Sequence, residues 1–189
     1  MATIDLSSLT LGNPIVSAKG AKTDPISYQD GTAVTWLPEP QVVAFLPSAF
    51  NGEAVARVNL VCKASPDATK QLTELDEAIV ALLARDSQKI FGKPLTTAEV
   101  RLKYNPCLRV SDKGYDSTFK CKIQIEGSKV VKCWDEDKKL RPLPAEWVGS
   151  LVQPKILLKS IWMMSKEVGC LMTCEDLLLV IEAYKECPF

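Results

Sequence analysis

The stretch Thr118-Phe-Lys-Cys-Lys-Ile-Gln-Ile125 decides the fold class. Phe119, Cys121, Ile123 and Ile125 alternate with Lys120, Lys122 and Gln124, and a period of two is the mark of a half-buried strand. A turn follows at Gly127-Ser128, and residues 129–134 are expected to return as the hairpin partner. Lys120 and Lys122 then stand side by side on the face turned away from the core.

Downstream, Asp135-Glu136-Asp137-Lys138-Lys139 reads as a polar turn. Pro142 and Pro144 break the chain, and one short helical turn is expected at Ala145-Glu-Trp-Val148. Two further apolar strands, residues 155–164 and 169–181, join at Ser165-Lys-Glu167. Upstream, Ser65-Pro66-Asp67 opens a helix: a capping hydroxyl, a proline at the first helical position and an acid at the positive dipole end. Leu72, Leu75, Ile79, Leu82 and Leu83 continue it at helical spacing to Phe91, before Gly92 and Pro94 stop it. A short second helix is expected from Thr96 or Thr97, with Thr96 and Glu99 at capping-box spacing. Before the first helix, residues 55–62 alternate as another half-buried strand, with Arg57 and Asn59 on its polar side.

Residues 1–50 are rich in Pro, Gly, Ser and Thr and hold short extended pieces at 33–37 and 41–46. Ile15, Val16, Ile26, Trp36 and Phe45 are apolar enough to dock them on the rest. The pattern predicts an α+β, mainly β chain built on a small antiparallel barrel. Its expected parts are an N-terminal extended arm over 1–50 and one barrel domain over 51–189, with a helical excursion at about 65–103.

Of 189 residues, 47% are hydrophobic and 24% charged, which suffices for one sizeable core and excludes wholesale disorder. The mean hydropathy is +0.03. The chain has no histidine, which removes Ser-His-Asp and Cys-His nucleophile pairs, histidine-ligated zinc and the commonest general base near neutral pH. Gly12, Gly20 and Gly31 make no phosphate-binding loop. Asp135, Glu136 and Asp137 lack the spacing of a calcium loop, and Cys170 and Cys174 lack partners for zinc. No enzyme, cofactor or metal is therefore expected. The start, Met1-Ala-Thr-Ile-Asp-Leu6, has no secretory pattern, and no apolar run reaches the ~20 residues of a membrane span. The seven cysteines read as reduced thiols, mostly core packers, of an intracellular protein.

Lys plus Arg and Asp plus Glu both number 23, so a nucleic-acid binder with this balance must concentrate its positive charge locally. In this chain positive charge is concentrated between Arg101 and Arg141, where eleven basic residues stand against six acidic ones, a net +5. Tyr104, Tyr115, Phe119, Trp134, Trp147 and Trp162 lie in or near this segment. Basic grooves with aromatic surfaces hold single strands through backbone charge and base stacking. Lysines on a solvated strand face are as compatible with these residues taken alone. Trp162, in a strongly apolar strand, is assigned to the core rather than to a platform. The terminal Pro188-Phe189 resembles the partner-binding tip of bacterial single-stranded DNA-binding proteins, and a docked C-terminus is the competing reading.

Gly20-Ala-Lys-x-x-Pro25-Ile, Lys89-Ile-Phe-Gly-Lys93, Tyr104-Asn-Pro-x-Leu108 and Tyr115-Asp-Ser-Thr-Phe-Lys-Cys-Lys122 follow one another in order. Val131-Lys-Cys-Trp-Asp135, Lys159-Ser-Ile-Trp162 and Val168-Gly169 come after them. This ordered set resembles the single-stranded DNA-binding protein family of nucleocytoplasmic large DNA viruses, over most of the chain from about Gly20. The family often has Tyr-Pro-Pro-Thr where this chain has Tyr115-Asp-Ser-Thr118, and Gly-Lys-Phe-Gly near Ser165-Lys-Glu-Val-Gly169. The resemblance implies an OB-like barrel akin to phage single-stranded DNA-binding proteins, and a sequence-nonspecific role in replication or recombination. It implies nucleic-acid contacts at Lys22, Tyr115, Lys120, Lys122, Lys132 and Trp134, and the basic segment adds Arg109. The expected ligand is single-stranded nucleic acid, DNA favoured, with no membrane partner and with a homo-oligomer left open. The expected setting is the nucleus or a cytoplasmic viral factory. A structural or scaffold subunit using the same barrel is the alternative, favoured by the neutral total charge and by Phe45, Phe50 and Phe189.

Overall fold

The computed structural model describes residues 4–17, 20, 22–48, 56–164 and 167–180. After a 3-10 turn at Leu6–Ser8 come the strands β1 (Leu9–Leu11), β2 (Ile15–Val16), β3 (Lys22–Tyr28), β4 (Val34–Trp36), β5 (Gln41–Val42) and β6 (Arg57–Lys63). The helices α1 (Pro66–Arg85), α2 (Ser87–Phe91) and α3 (Thr97–Arg101) follow. Then come β7 (Tyr104–Asn105), β8 (Leu108–Arg109), β9 (Thr118–Gln124), β10 (Lys132–Trp134) and β11 (Leu140–Arg141). The long strands β12 (Leu151–Met164) and β13 (Glu167–Val180) complete the described part.

The spine of the fold is the antiparallel pair β12–β13, in register from Leu151 opposite Val180 to Met164 opposite Glu167. The free edge of β12 takes β5, β4 and β3 in turn, with Leu151 opposite Val42, Ile156 opposite Trp36 and Trp162 opposite Thr23. The other edge of β13 takes β7, β9 and β10, all parallel to it, at Val168, Thr173 and Asp176. Outside β9 lie β6, paired along its whole length, and β8.

The expected hairpin between the Phe119 strand and residues 129–134 does not form. β9 pairs instead with β6, and β10 lies beside β13. The ladder with β6 sets Val58, Leu60 and Cys62 opposite Ile123, Cys121 and Phe119, all buried on one side. Residues 129–134 offer no comparable apolar row, so long-range burial overrides the nearby turn.

The sheet also departs from the expected barrel, because among the described residues it stays open. Where a closing seam would run, between residues 43–48 and β6, there are isolated bridges only, Val43 to Cys62 and Ser48 to Asn59. Pro47 lies within this segment and carries no N–H to donate to a ladder there.

Helix α1 begins as its sequence predicts, with the Ser65 hydroxyl accepting the Ala68 N–H at 3.2 Å and Pro66 opening the first turn. Leu72, Leu75, Ile79 and Leu83 are fully buried, each stabilising by roughly 1.5–3 kcal/mol. The Trp36 Nε1 donates to Gln71 Oε1 at 2.7 Å, tying the helix to the inner face of the sheet. Trp36 and Phe119 meet edge to face with centroids 5.2 Å apart. The helix breaks at Asp86 rather than running to Phe91, and α2 ends at Gly92 with a φ of 74°. Thr96 and Glu99 form the expected capping box of α3.

Residues 145–148 are not helical, and Trp147 is buried in the core. Ile26 and Trp36 dock as expected, whereas Ile15, Val16 and Phe45 are exposed. Phe50, Pro188 and Phe189 lie outside the described residues. No helix among the described residues is long and apolar enough to cross a membrane.

Candidate nucleic-acid interface

Two sides of the sheet differ sharply in chemistry. Val34, Trp36, Ile156, Leu158, Met172, Cys174, Cys121, Ile123, Leu60 and Val58 point inward to α1 and the core. The residues between them point outward. One outer row crosses five strands as Thr35, Leu157, Thr173, Lys122 and Asn59, each half-buried.

Cations gather at one end of this outer side. Lys120 and Lys122 alternate out of β9, as the strand period requires. Arg57 comes from β6, opposite Gln124, and Lys63 stands opposite Thr118, which also faces Arg109 of β8. Lys63 pairs with Asp116 at 3.0 Å. Among the described residues, Arg57, Arg109, Lys120 and Lys122 have no carboxylate within salt-bridge distance. Arg57 reaches the hydroxyl of Thr173, at 3.4 Å.

The electrostatic consequence falls on the lysines. Partial burial lowers the pKa of Lys120 first, and the charges of Arg109 and Lys122 lower it further. Partial burial also lowers that of Lys122, followed by Arg57. Four cations held close, with no counter-charge among the described residues, make a site that favours an anion. A phosphate arriving there would relieve repulsion as well as gain attraction.

Trp134 and Lys132 lie on the same outer side, further along β13. Lys132 stands beside Asp176 and Trp134 beside Leu178. The Trp134 Nε1 donates to Asp176 Oδ1 at 3.0 Å, which fixes the ring. An open groove of about 510 Å³ runs past it, floored by Leu37, Trp134 and Leu178 and edged by Gln153 and Lys155. The acids here are largely compensated. Lys155 approaches Glu175 and Asp176 at 3.7 Å each. The Lys139 N–H, 2.8 Å away, and the Arg141 guanidinium, at 2.7 Å, hold the Asp135 carboxyl below its usual range.

The structure thus brings Arg109, Lys120 and Lys122 together and puts Lys132 and Trp134 on the same side of the sheet. Tyr115 is exposed at the rim, in the loop that Asp116 ties to Lys63. Lys22 does not join them. It sits opposite Met163, which packs on the core, and its Nζ donates to the Ile90 carbonyl at 2.6 Å. Sequence reasoning missed Arg57 as a candidate, although its place on the polar side of an alternating strand was the available signal. It also assigned Trp162 to the core. The ring is half-buried on the outer side, while its neighbours Ile161 and Met163 face inward. Among the described residues no cluster of His, Cys, Asp or Glu is arranged to hold a metal ion.

No family model matches the chain, and no curated protein does. Solved structures do. The single-stranded DNA-binding protein from bacteriophage Enc34 in complex with ssDNA matches with a TM-score of 0.50 and 12% identity, over 90% of this chain and 96% of that one. A C-terminal truncation of the phage protein matches at 0.48 and 12% identity, over 92% and 96%. A further structure of the single-stranded DNA-binding protein from bacteriophage Enc34 matches at 0.45 and 12% identity, over 95% and 96%. At this identity the likeness is one of fold: the chain is built like a phage single-stranded DNA-binding protein.

Proposed function

We propose that this protein binds single-stranded DNA without sequence specificity, as a non-enzymatic accessory of replication or recombination. The observation that carries the reading is the outer-face cluster of Arg57, Arg109, Lys120 and Lys122, none of which has a carboxylate partner among the described residues. Backbone phosphates are the ligand that such a cluster fits, and Trp134 supplies a fixed aromatic surface on the same side. The fold likeness to a phage protein solved in complex with ssDNA supports the same reading. The resemblance to the large DNA virus family extends it to an intracellular setting, the nucleus or a viral factory, and the likeness of Pro188-Phe189 to the tip of bacterial single-stranded DNA-binding proteins extends it to a protein partner there.

A scaffold role is the second reading. Phe45 and Leu46, adjacent and 61% and 67% exposed, offer an apolar contact that DNA binding does not use.

The deciding experiment is an anisotropy titration of a labelled ~30-nucleotide oligo-dT at low and near-physiological salt. Binding is expected to weaken with salt. In Lys120→Ala/Lys122→Ala the affinity falls, and the log–log salt slope becomes shallower by about 1.4, at ~0.7 per lost phosphate contact. A folded sample that fails to bind at low salt removes the single-strand reading and leaves the scaffold one.

A further inference from the structure

Trp162 stands directly opposite Gly169 in the β12–β13 ladder. A Cβ on Gly169 would lie 2.6 Å from Trp162 Cζ2 and 2.8 Å from Cε2, so the indole occupies the space that the missing side chain leaves. The backbone at Gly169 is not left-handed. Glycine is therefore required here for room and not for conformation. The sheet backbone holds the ring from one side.

The rest of the ring is not absorbed by the core. Ile161 and Met163 belong to the core packing, and Trp162 does not. Its Nε1 makes no hydrogen bond among the described residues and is not an enclosed polar atom. A tryptophan N–H usually finds a partner when buried, so this one opens to solvent. Nearby, Lys159 is the extra residue of a bulge between Leu158 and Ser160, exposed and in no ion pair among the described residues. Bulges of this kind re-aim side chains beside functional sites.

We infer that Trp162, laid against Gly169, is a second base-stacking platform, with Lys159 placed to meet a phosphate beside it. The inference rests on the single-strand reading above. The row of Trp134 crosses β12 at Gln153, nine residues from Trp162. At about 3.3 Å per residue the two indoles stand roughly 30 Å apart along the strand. A single strand stacked at ~3.4 Å per nucleotide covers that span with about nine nucleotides, and a stretched one with fewer. The unpaired cations of β6, β8 and β9 border the path between them. An aromatic covering a cross-strand glycine also stabilises a sheet with no ligand at all, and the test separates the two roles.

The test compares wild type, Trp162→Ala, Trp162→Phe and Lys120→Ala/Lys122→Ala on oligo-dT of ~5 and ~15 nucleotides, within the site sizes such folds use. In Trp162→Ala, affinity for the longer oligonucleotide is expected to fall about tenfold, with an unchanged salt slope, because stacking involves no phosphate. Trp162→Phe should recover most of that loss. Wild type should also gain more affinity on lengthening the oligonucleotide than Trp162→Ala does. If Trp162→Ala binds both lengths as wild type does while the double lysine variant is weakened, the platform is refuted and the single-strand reading stands. If wild type does not bind, both fall. Should Trp162→Ala unfold, photocrosslinking of wild type to an oligonucleotide carrying 5-iodouracil decides: attachment at Trp162 supports the platform, and attachment only elsewhere overturns it.

Discussion

The carboxylate of Asp76, on α1, accepts the phenol of Tyr104 at 2.7 Å. The same side chain accepts the backbone N–H of Cys107 at 2.9 Å and of Leu108 at 3.2 Å. One buried helical acid thus satisfies three donors of the segment that delivers Arg109 to the outer face. Burial, reinforced by the neighbouring Cys107 and Asp76, pushes the Tyr104 phenol well above its ordinary value, so it stays a donor.

Asp76→Ala is therefore expected to be among the most destabilising single changes in the chain. It strands several buried donors at about 1–3 kcal/mol each, so a loss of roughly 3 kcal/mol or more should appear in urea denaturation. Tyr104→Phe removes one bond and should cost about 1 kcal/mol. An Asp76→Ala protein as stable as wild type would show that the segment is held by its apolar contacts alone.

Gly169→Ala tests the close approach of the indole. Its new methyl meets Trp162 at 2.6 Å, and overpacking of this kind costs about 1–3 kcal/mol. The double variant Trp162→Ala/Gly169→Ala should be more stable than the sum of the single effects predicts, because the clash is gone. Thermal melts of the four proteins check this, and simple additivity would mean that the two residues do not touch in solution.

Asp24 gives a pH signature. It is 1% exposed, and neither carboxylate oxygen has a hydrogen-bond partner among the described residues. Burial raises its pKa above 3.8, against the weaker opposing pull of Lys22 and Lys89. A folded-state value above the unfolded one means that the protonated form is favoured by folding. That contribution is fully present below pH 3.8 and is lost as the pH rises through the folded-state value. Asp24→Asn, uncharged throughout, should melt above wild type at neutral pH, with the gap closing on acidification. A neutral-pH melting temperature below wild type would show that the attraction of Lys22 and Lys89 outweighs burial.

Local patterns carried a good deal of this protein. The alternation of Phe119, Cys121, Ile123 and Ile125 placed Lys120 and Lys122 outward without any knowledge of a partner strand. Ser65, Pro66 and the Thr96–Glu99 box set two helix starts, because a cap is completed within four residues. The total absence of histidine narrowed the chemistry before any fold was known.

What local patterns could not supply was pairing. A period of two says which side chains face the core, and says nothing about which strand lies alongside. Only the burial of Val58, Leu60 and Cys62 against Ile123, Cys121 and Phe119 brought β6 to β9, and with it Arg57 to the lysines. Only the antiparallel register of β12 and β13 set Trp162 over Gly169 and turned an apparently core tryptophan outward. The register of β12 with β3, which sets Met163 opposite Lys22, took Lys22 away from the other candidates. The side of the sheet on which a residue stands is written in its strand wherever the alternation is unbroken, and in β12 the bulge at Lys159 breaks it. Its neighbours there are chosen by contacts between segments tens of residues apart, whose energy no short stretch of sequence contains.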